Sequence, residues 1–142
     1  MLREYPINIL HQCDGDLGEK MRDALESQGY PAAVMGCDAP HVSHDSLKRA
    51  YQELSQGSSV IGPALDGGYY LLGLAERADA LFRNKPWGQD EVFTQTLLSA
   101  NHLGLKLYHL DALNDVDEWP DLLEALEQLP TLKDYLEAQG LI

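Results

Sequence analysis

The chain is poor in positive charge, in cysteine and in long apolar runs, and each shortage closes off a class of function. Ten Lys and Arg stand against 23 Asp and Glu, for a formal net charge of −13. Nucleic-acid backbones and anionic membranes are held by clustered Lys and Arg, so this balance argues against either partner. It leaves room for a small nucleotide, whose phosphates a bound metal can carry. The two cysteines, Cys13 and Cys37, are too few for a disulfide framework and lack metal-ligand spacing. Cys37 lies in an apolar run and is expected to be a small buried core residue. No apolar stretch approaches the roughly 18 residues of a membrane helix, and the N-terminus has no signal-peptide pattern, so a cytoplasmic location is expected. A Gly-x-Ser-x-Gly elbow and a Walker loop are also missing. Nor does Asp38-Ala39-Pro40 supply the Asp-x-Asp-x-Thr of an aspartyl-nucleophile phosphatase.

What is present is a steady alternation of strand and helix patterns. At 142 residues the length prior gives one domain over 1–142, large enough to bury a core. Tyr5–Leu10 reads as a short strand. Asp16–Gln28 places Leu17, Met21 and Leu25 at helical spacing and stops at Gly29. Ala32–Cys37 is a second strand. Ser43–Gln56 carries Leu47, Ala50, Tyr51 and Leu54 on one face, with Ser43 as N-cap. Ser59–Gly62 is a third strand, and Tyr69–Leu74 has strand composition with no readable direction. A helix over Asp90–Ala100, a strand over Leu105–Leu110, and a helix opened by Pro120 follow. Thr131 is expected to cap a last helix that Gly140 ends. Such alternation implies crossover connections and an α/β fold with a mainly parallel sheet.

Three of the strand-like runs lead directly into acidic turns. If those strands are parallel, all three turns lie at one end of the sheet, where open α/β sheets bind ligands. In the first turn, Asp38 leaves a strand with Pro40 close behind, a rigid setting for a metal ligand; an N-cap role is the alternative, though Ser43 is better placed for it. His41 and His44 stand at a helix start and are expected to be exposed rather than ligating. In the second, Asp66-Gly67-Gly68-Tyr69 is either a plain tight turn or a place where a ligand approaches the backbone closely, with a Tyr ring to cover it. In the third, Asp115 and Asp117 share a side of any extended segment and suit chelation, with Asp117 the better candidate. Asn114–Glu118 also reads as an acidic helix start. Trp87-Gly88 fits a pocket wall or plain packing.

Taken in order, Gln12 with Gly15-Asp16-Leu17-Gly18-Glu19-Lys20-Met21, Gly36-Cys37-Asp38-Ala39-Pro40, the block Gly62 to Leu74, Trp87-Gly88 and Asp115-Val116-Asp117 resemble a family of transferase-like proteins. That family has the GT-A nucleotide-diphospho-sugar fold and is named for its association with radical-SAM and selenodomain proteins. The resemblance spans nearly the whole chain. It implies a Rossmann-like three-layer α/β/α architecture and a glycosyl- or nucleotidyl-transferase acting on a nucleotide or nucleotide-sugar. It further implies Mg²⁺ or Mn²⁺ held by Asp38 and Asp117, and an acceptor side lined by Asp66, Gly67, Gly68 and Tyr69, with Trp87 nearby. No catalytic residue is assigned. Family members begin with a further strand and a Gly-rich, Lys/Arg-bearing nucleotide loop, which Met1–Gln12 does not supply. The expectation is therefore an N-terminally shortened member with an open sheet edge, on which a homodimer can form. A non-catalytic binding or assembly module is the second role consistent with the resemblance.

Overall fold

The computed structural model describes residues 9–142. The strand expected over Tyr5–Leu10 falls largely outside them, and the described Ile9 and Leu10 are exposed and carry no strand. Helix α1 (Leu17–Gln28) opens on a capping box. Asp16 accepts the Glu19 amide at 2.9 Å, and Glu19 accepts the Asp16 amide at 3.1 Å. Strand β1 (Ala32–Met35) follows, then α2 (His44–Ser55), whose N-cap Ser43 accepts the Ser46 amide at 3.0 Å. Strands β2 (Ser59–Pro63) and β3 (Tyr69–Leu74) form a hairpin around the Asp66-Gly67-Gly68 turn. A single 3-10 turn (Asp79–Phe82), α3 (Val92–His102), β4 (Leu107–His109), α4 (Trp119–Ala125) and α5 (Pro130–Ala138) complete the order. Thr131 lies inside α5, whose N-cap is Leu129 without a side-chain bond, so the expected Thr cap does not form. Pro130 starts the helix instead, since its missing N–H is one that the first turn leaves unpaired anyway.

The strands form one sheet in the order β1-β3-β2-β4. β3 pairs antiparallel with both β1 and β2, while β2 and β4 are parallel. β1, β2 and β4 therefore share one direction, and β3, whose direction the sequence left unread, is the reversed strand between two of them. Alternation along the strands feeds two cores. Ile61, Leu72 and Leu74 pack with Leu25 of α1, Leu81, Phe82 and Ala100 of α3. On the opposite face Val60 and Leu71 pack with Ala50 of α2 and with Ala39, Tyr70 and Leu110. Helices on both faces give the three-layer α/β/α arrangement.

Several expected core positions turn outward, Leu17 of α1 and Leu47 of α2 among them. Cys37 is exposed: β1 ends at Met35, the Gly36 amide makes a last bond to the Tyr70 carbonyl of β3 at 2.9 Å, and the chain then turns away toward the acidic loop. Tyr51 of α2 is 73% exposed, since the buried stripe of that helix centres on Ala50 and Tyr51 sits a third of a turn beyond it. Among the described residues, no helix is long and apolar enough to cross a membrane.

Candidate functional site

The shared direction of β1, β2 and β4 delivers the three acidic turns to the same end of the sheet, and the main chain then ties them together. The Val116 amide donates to the Asp38 carbonyl at 2.8 Å, joining the first turn to the third. Leu113 donates to the Pro63 carbonyl at 3.1 Å and accepts the Leu65 amide at 2.9 Å, joining the third turn to the second. A parallel bridge between Ala64 and Leu113 extends the β2–β4 pairing into these loops. The buried Tyr70 adds a further tie, its hydroxyl donating to the Asp111 carbonyl at 3.1 Å. Four aspartates separated by up to 79 residues of chain are thus neighbours by backbone construction.

Asp115 registers that proximity. Its carboxyl is pushed up from the ordinary 3.8 to about 6, first by burial and then by the charges of Asp66, Asp38 and Asp117. Its Oδ1 is buried, with no hydrogen-bond partner among the described residues. The ion pairs found among the described residues, Arg49–Glu53, Arg77–Glu26 and Arg77–Asp79, involve none of the four aspartates. Like charges held together without a counter-charge favour either a bound proton or a bound cation.

The individual carboxylates differ in freedom. Asp66 accepts the Gly68 amide at 2.8 Å, so one of its oxygens shapes its own turn. Asp38 is exposed, and its carboxylate bends back over Gly36. Asp117 is exposed, and its amide, with that of Glu118, donates to Asp121 at 3.2 and 2.9 Å. The acidic helix start of the third turn is realised by Glu118 and Asp121, while Asp115 is crowded by the carboxylates of the other turns. Among the described residues, no three His, Cys, Asp or Glu side chains stand in a ligating arrangement. The donor set nevertheless fits a hard divalent cation of the Mg²⁺ type, which takes one or two protein carboxylates and completes its shell with water and ligand phosphates.

The remaining expected residues lie farther from the carboxylates in character. Gly67 adopts φ +94, and a Cβ there would collide with the Asp90 backbone. Its carbonyl accepts the Phe93 amide at 2.8 Å, docking the turn onto the start of α3. Tyr69 packs against the α1/α3-side core, and burial pushes its hydroxyl up to about 12. Trp87 packs on the same core and lies over Gly18, where any side chain would strike the indole. The structure thus brings Asp38, Asp66 and Asp117 together with Asp115, and sets Tyr69 and Trp87 into packing. His44 is exposed as expected, whereas His41 is half-buried and its Nδ1 is buried with no partner among the described residues. The first turn, fastened to Val116, carries His41 under the third, which spacing from a helix start could not show.

Comparison with known proteins agrees with this architecture. Residues 3–89 match the family model described as "Uncharacterized protein conserved in bacteria (DUF2064)". A crystal structure from Desulfovibrio desulfuricans G20, provisionally named a nucleotide-diphospho-sugar transferase, is 33% identical and superposes with a TM-score of 0.70. The likeness covers 75% of this chain and 48% of that one, so the chain spans about half the length of that relative. No protein of curated function matches at significant similarity.

Proposed function

The chain belongs to the DUF2064 family of bacterial proteins, and from that membership we propose that it is the metal- and phosphate-binding part of a glycosyl- or nucleotidyl-transferase. Its ligand on this reading is a nucleotide or nucleotide-sugar. The observation that carries the reading is the convergence of Asp38, Asp66, Asp115 and Asp117, with no ion-pair partner among the described residues, beyond the carboxyl ends of three co-directional strands. The name and 33% identity of the Desulfovibrio relative support it.

Asp38 and Asp117 are the residues that would hold Mg²⁺ or Mn²⁺, with Asp115 behind them. Bound there, the cation would neutralise phosphate charge and stabilise charge that develops on a leaving group. The chain's own work is positioning. The Asp38–Val116 and Leu65–Leu113 hydrogen bonds fix the spacing of the carboxylates, and Gly67 seats the second turn against α3 so that Asp66 stays at the rim. Calorimetric titration of Mn²⁺, followed by a panel of nucleotides and nucleotide-sugars, tests this. Saturable Mn²⁺ binding is expected, with one nucleotide binding only to the loaded form. Asp38→Ala should abolish the metal heat and leave the circular-dichroism spectrum unchanged. Undiminished Mn²⁺ affinity in Asp38→Ala would sink the metal assignment.

A second reading, a dimeric assembly module, is favoured by β1. Among the described residues its outer edge pairs with no strand, and Met35 on it is 50% exposed. The two readings are compatible.

A further inference from the structure

Helices α4 and α5, joined by residues 126–129, carry large apolar side chains left half-open to solvent. Trp119 and Leu123 stand one turn apart on one side of α4, 51% and 44% exposed, and Tyr135 of α5 is 60% exposed. Ala125 and Leu126 are buried and hold α4 to the body of the molecule. α5 has no such anchor. None of its nine residues is buried, and Leu132 and Leu136, spaced to share a face, are only half-buried. Isolated helices shorter than roughly 12–15 residues are marginal in water, so a helix of this length depends on packing an apolar face.

Charge selects what can cover these side chains. The two helices, their caps and their link carry Glu118, Asp121, Glu124, Glu127, Asp134 and Glu137 against Lys133 alone. None of the six acids takes part in the ion pairs found among the described residues. Nucleic acid and anionic membranes are repelled by such a surface. A second copy of the same face would bring two acidic rims together, and like charges set across an interface cost affinity. A complementary partner pairs an apolar stripe with flanking Lys and Arg. A helix with apolar residues three and four apart has that form, and its ridges pack against an i, i+4 pair such as Trp119 and Leu123. Trp and Tyr, two of the three exposed residues, are also the types that supply most binding energy at protein interfaces.

We propose that α4 and α5 form the docking surface for a basic amphipathic helix of a partner protein. Trp119, Leu123 and Tyr135 meet its apolar stripe, and the surrounding carboxylates meet its Lys and Arg. Docking supplies the packing that α5 lacks. The surface uses none of the four converging aspartates, so it stands apart from the transferase reading.

The test is an NMR titration of the ¹⁵N-labelled chain with a synthetic Leu/Lys peptide of about 18 residues, long enough to form a helix with one apolar face. Saturable shifts are expected on the amides of α4 and α5, and amide exchange in α5 should slow. A peptide of equal charge with Ser in place of Leu should bind at least about tenfold more weakly, and one with Glu in place of Lys not at all. Trp119→Ser and Tyr135→Ser should each weaken the Leu/Lys peptide about tenfold, their dispersed spectra certifying the fold. Tyr51→Ser on α2, which removes an exposed aromatic from another face, should leave it unchanged. Equal affinity for the Ser peptide would mean that charge alone is at work, and it overturns the proposal. So do unchanged affinity in both variants, shifts centred on the acidic turns, and no saturable shift at all. Movement of the α4 and α5 amides on dilution of the chain alone also overturns it, since a second copy would then be the occupant.

Discussion

At the scale of single residues, Asp115 holds a carboxyl that prefers its proton in the folded state. Its folded value of about 6 lies above the ordinary 3.8, so between those limits the native chain binds more protons than the unfolded one. Stability then falls as pH rises through that window and is level above it. Replacing the carboxyl with a neutral amide removes the penalty. Asp115→Asn should therefore match the parent near pH 4 and exceed it at pH 7. Because the group is only partly buried, solvent screening holds the gain to on the order of 1 kcal/mol. Urea midpoints across that pH range in metal-free buffer measure it, and a variant less stable than the parent at pH 7 would contradict the crowding of the four carboxylates. The sequence reading favoured Asp117, whereas the fold sets Asp115 apart. The two differ because Val116 is bonded to Asp38, which draws Asp115 inward and leaves Asp117 at the surface.

At the scale of elements, the β2–β3 hairpin is the part whose backbone chemistry is strictest. Gly67 needs a positive φ and also touches the Asp90 backbone, where no flexible side chain can yield. Gly67→Ala should therefore cost more than the usual strain of a left-handed residue, about 2 kcal/mol or more, and displace the turn from α3. Thermal unfolding should show a drop of several degrees, and Mn²⁺ affinity should weaken because Asp66 moves with the turn. A Tm within one degree of the parent would mean that the Gly67–Asp90 approach is not made. The caps of α1 and α2 were legible beforehand, since Asp16 with Glu19 and Ser43 satisfy amides only three residues away. Thr131 misled because Pro130 provides an equally good helix start one residue earlier.

At the scale of the whole molecule, the rim at β1, unpaired among the described residues, and the net charge of −13 pull in opposite directions. Charge repulsion keeps copies apart, yet Ala32, Ala33, Val34 and Met35 carry no charge and no proline, the usual means of blunting an edge. Two copies meeting edge to edge through β1 would continue the sheet across a two-fold axis. Light scattering should give a mass above 15.8 kDa that rises toward twice that value with added salt, as screening weakens the repulsion. Met35→Lys should return the chain to 15.8 kDa without altering Mn²⁺ binding. A monomer at every salt concentration would remove the assembly reading.

The order of the described strands and helices, the caps of α1 and α2 and the three acidic turns were set by the sequence itself. They depend on periodicity and on bonds between residues a few positions apart. The tertiary structure alone decided that β3 runs against its neighbours, that Cys37 and Tyr51 face solvent, and that His41 lies beneath the third turn. It also decided that Asp115, among four aspartates, is the one held inward. Those outcomes rest on where the strands end and on hydrogen bonds spanning nearly 80 residues, and no local pattern records which distant partner a backbone amide will find.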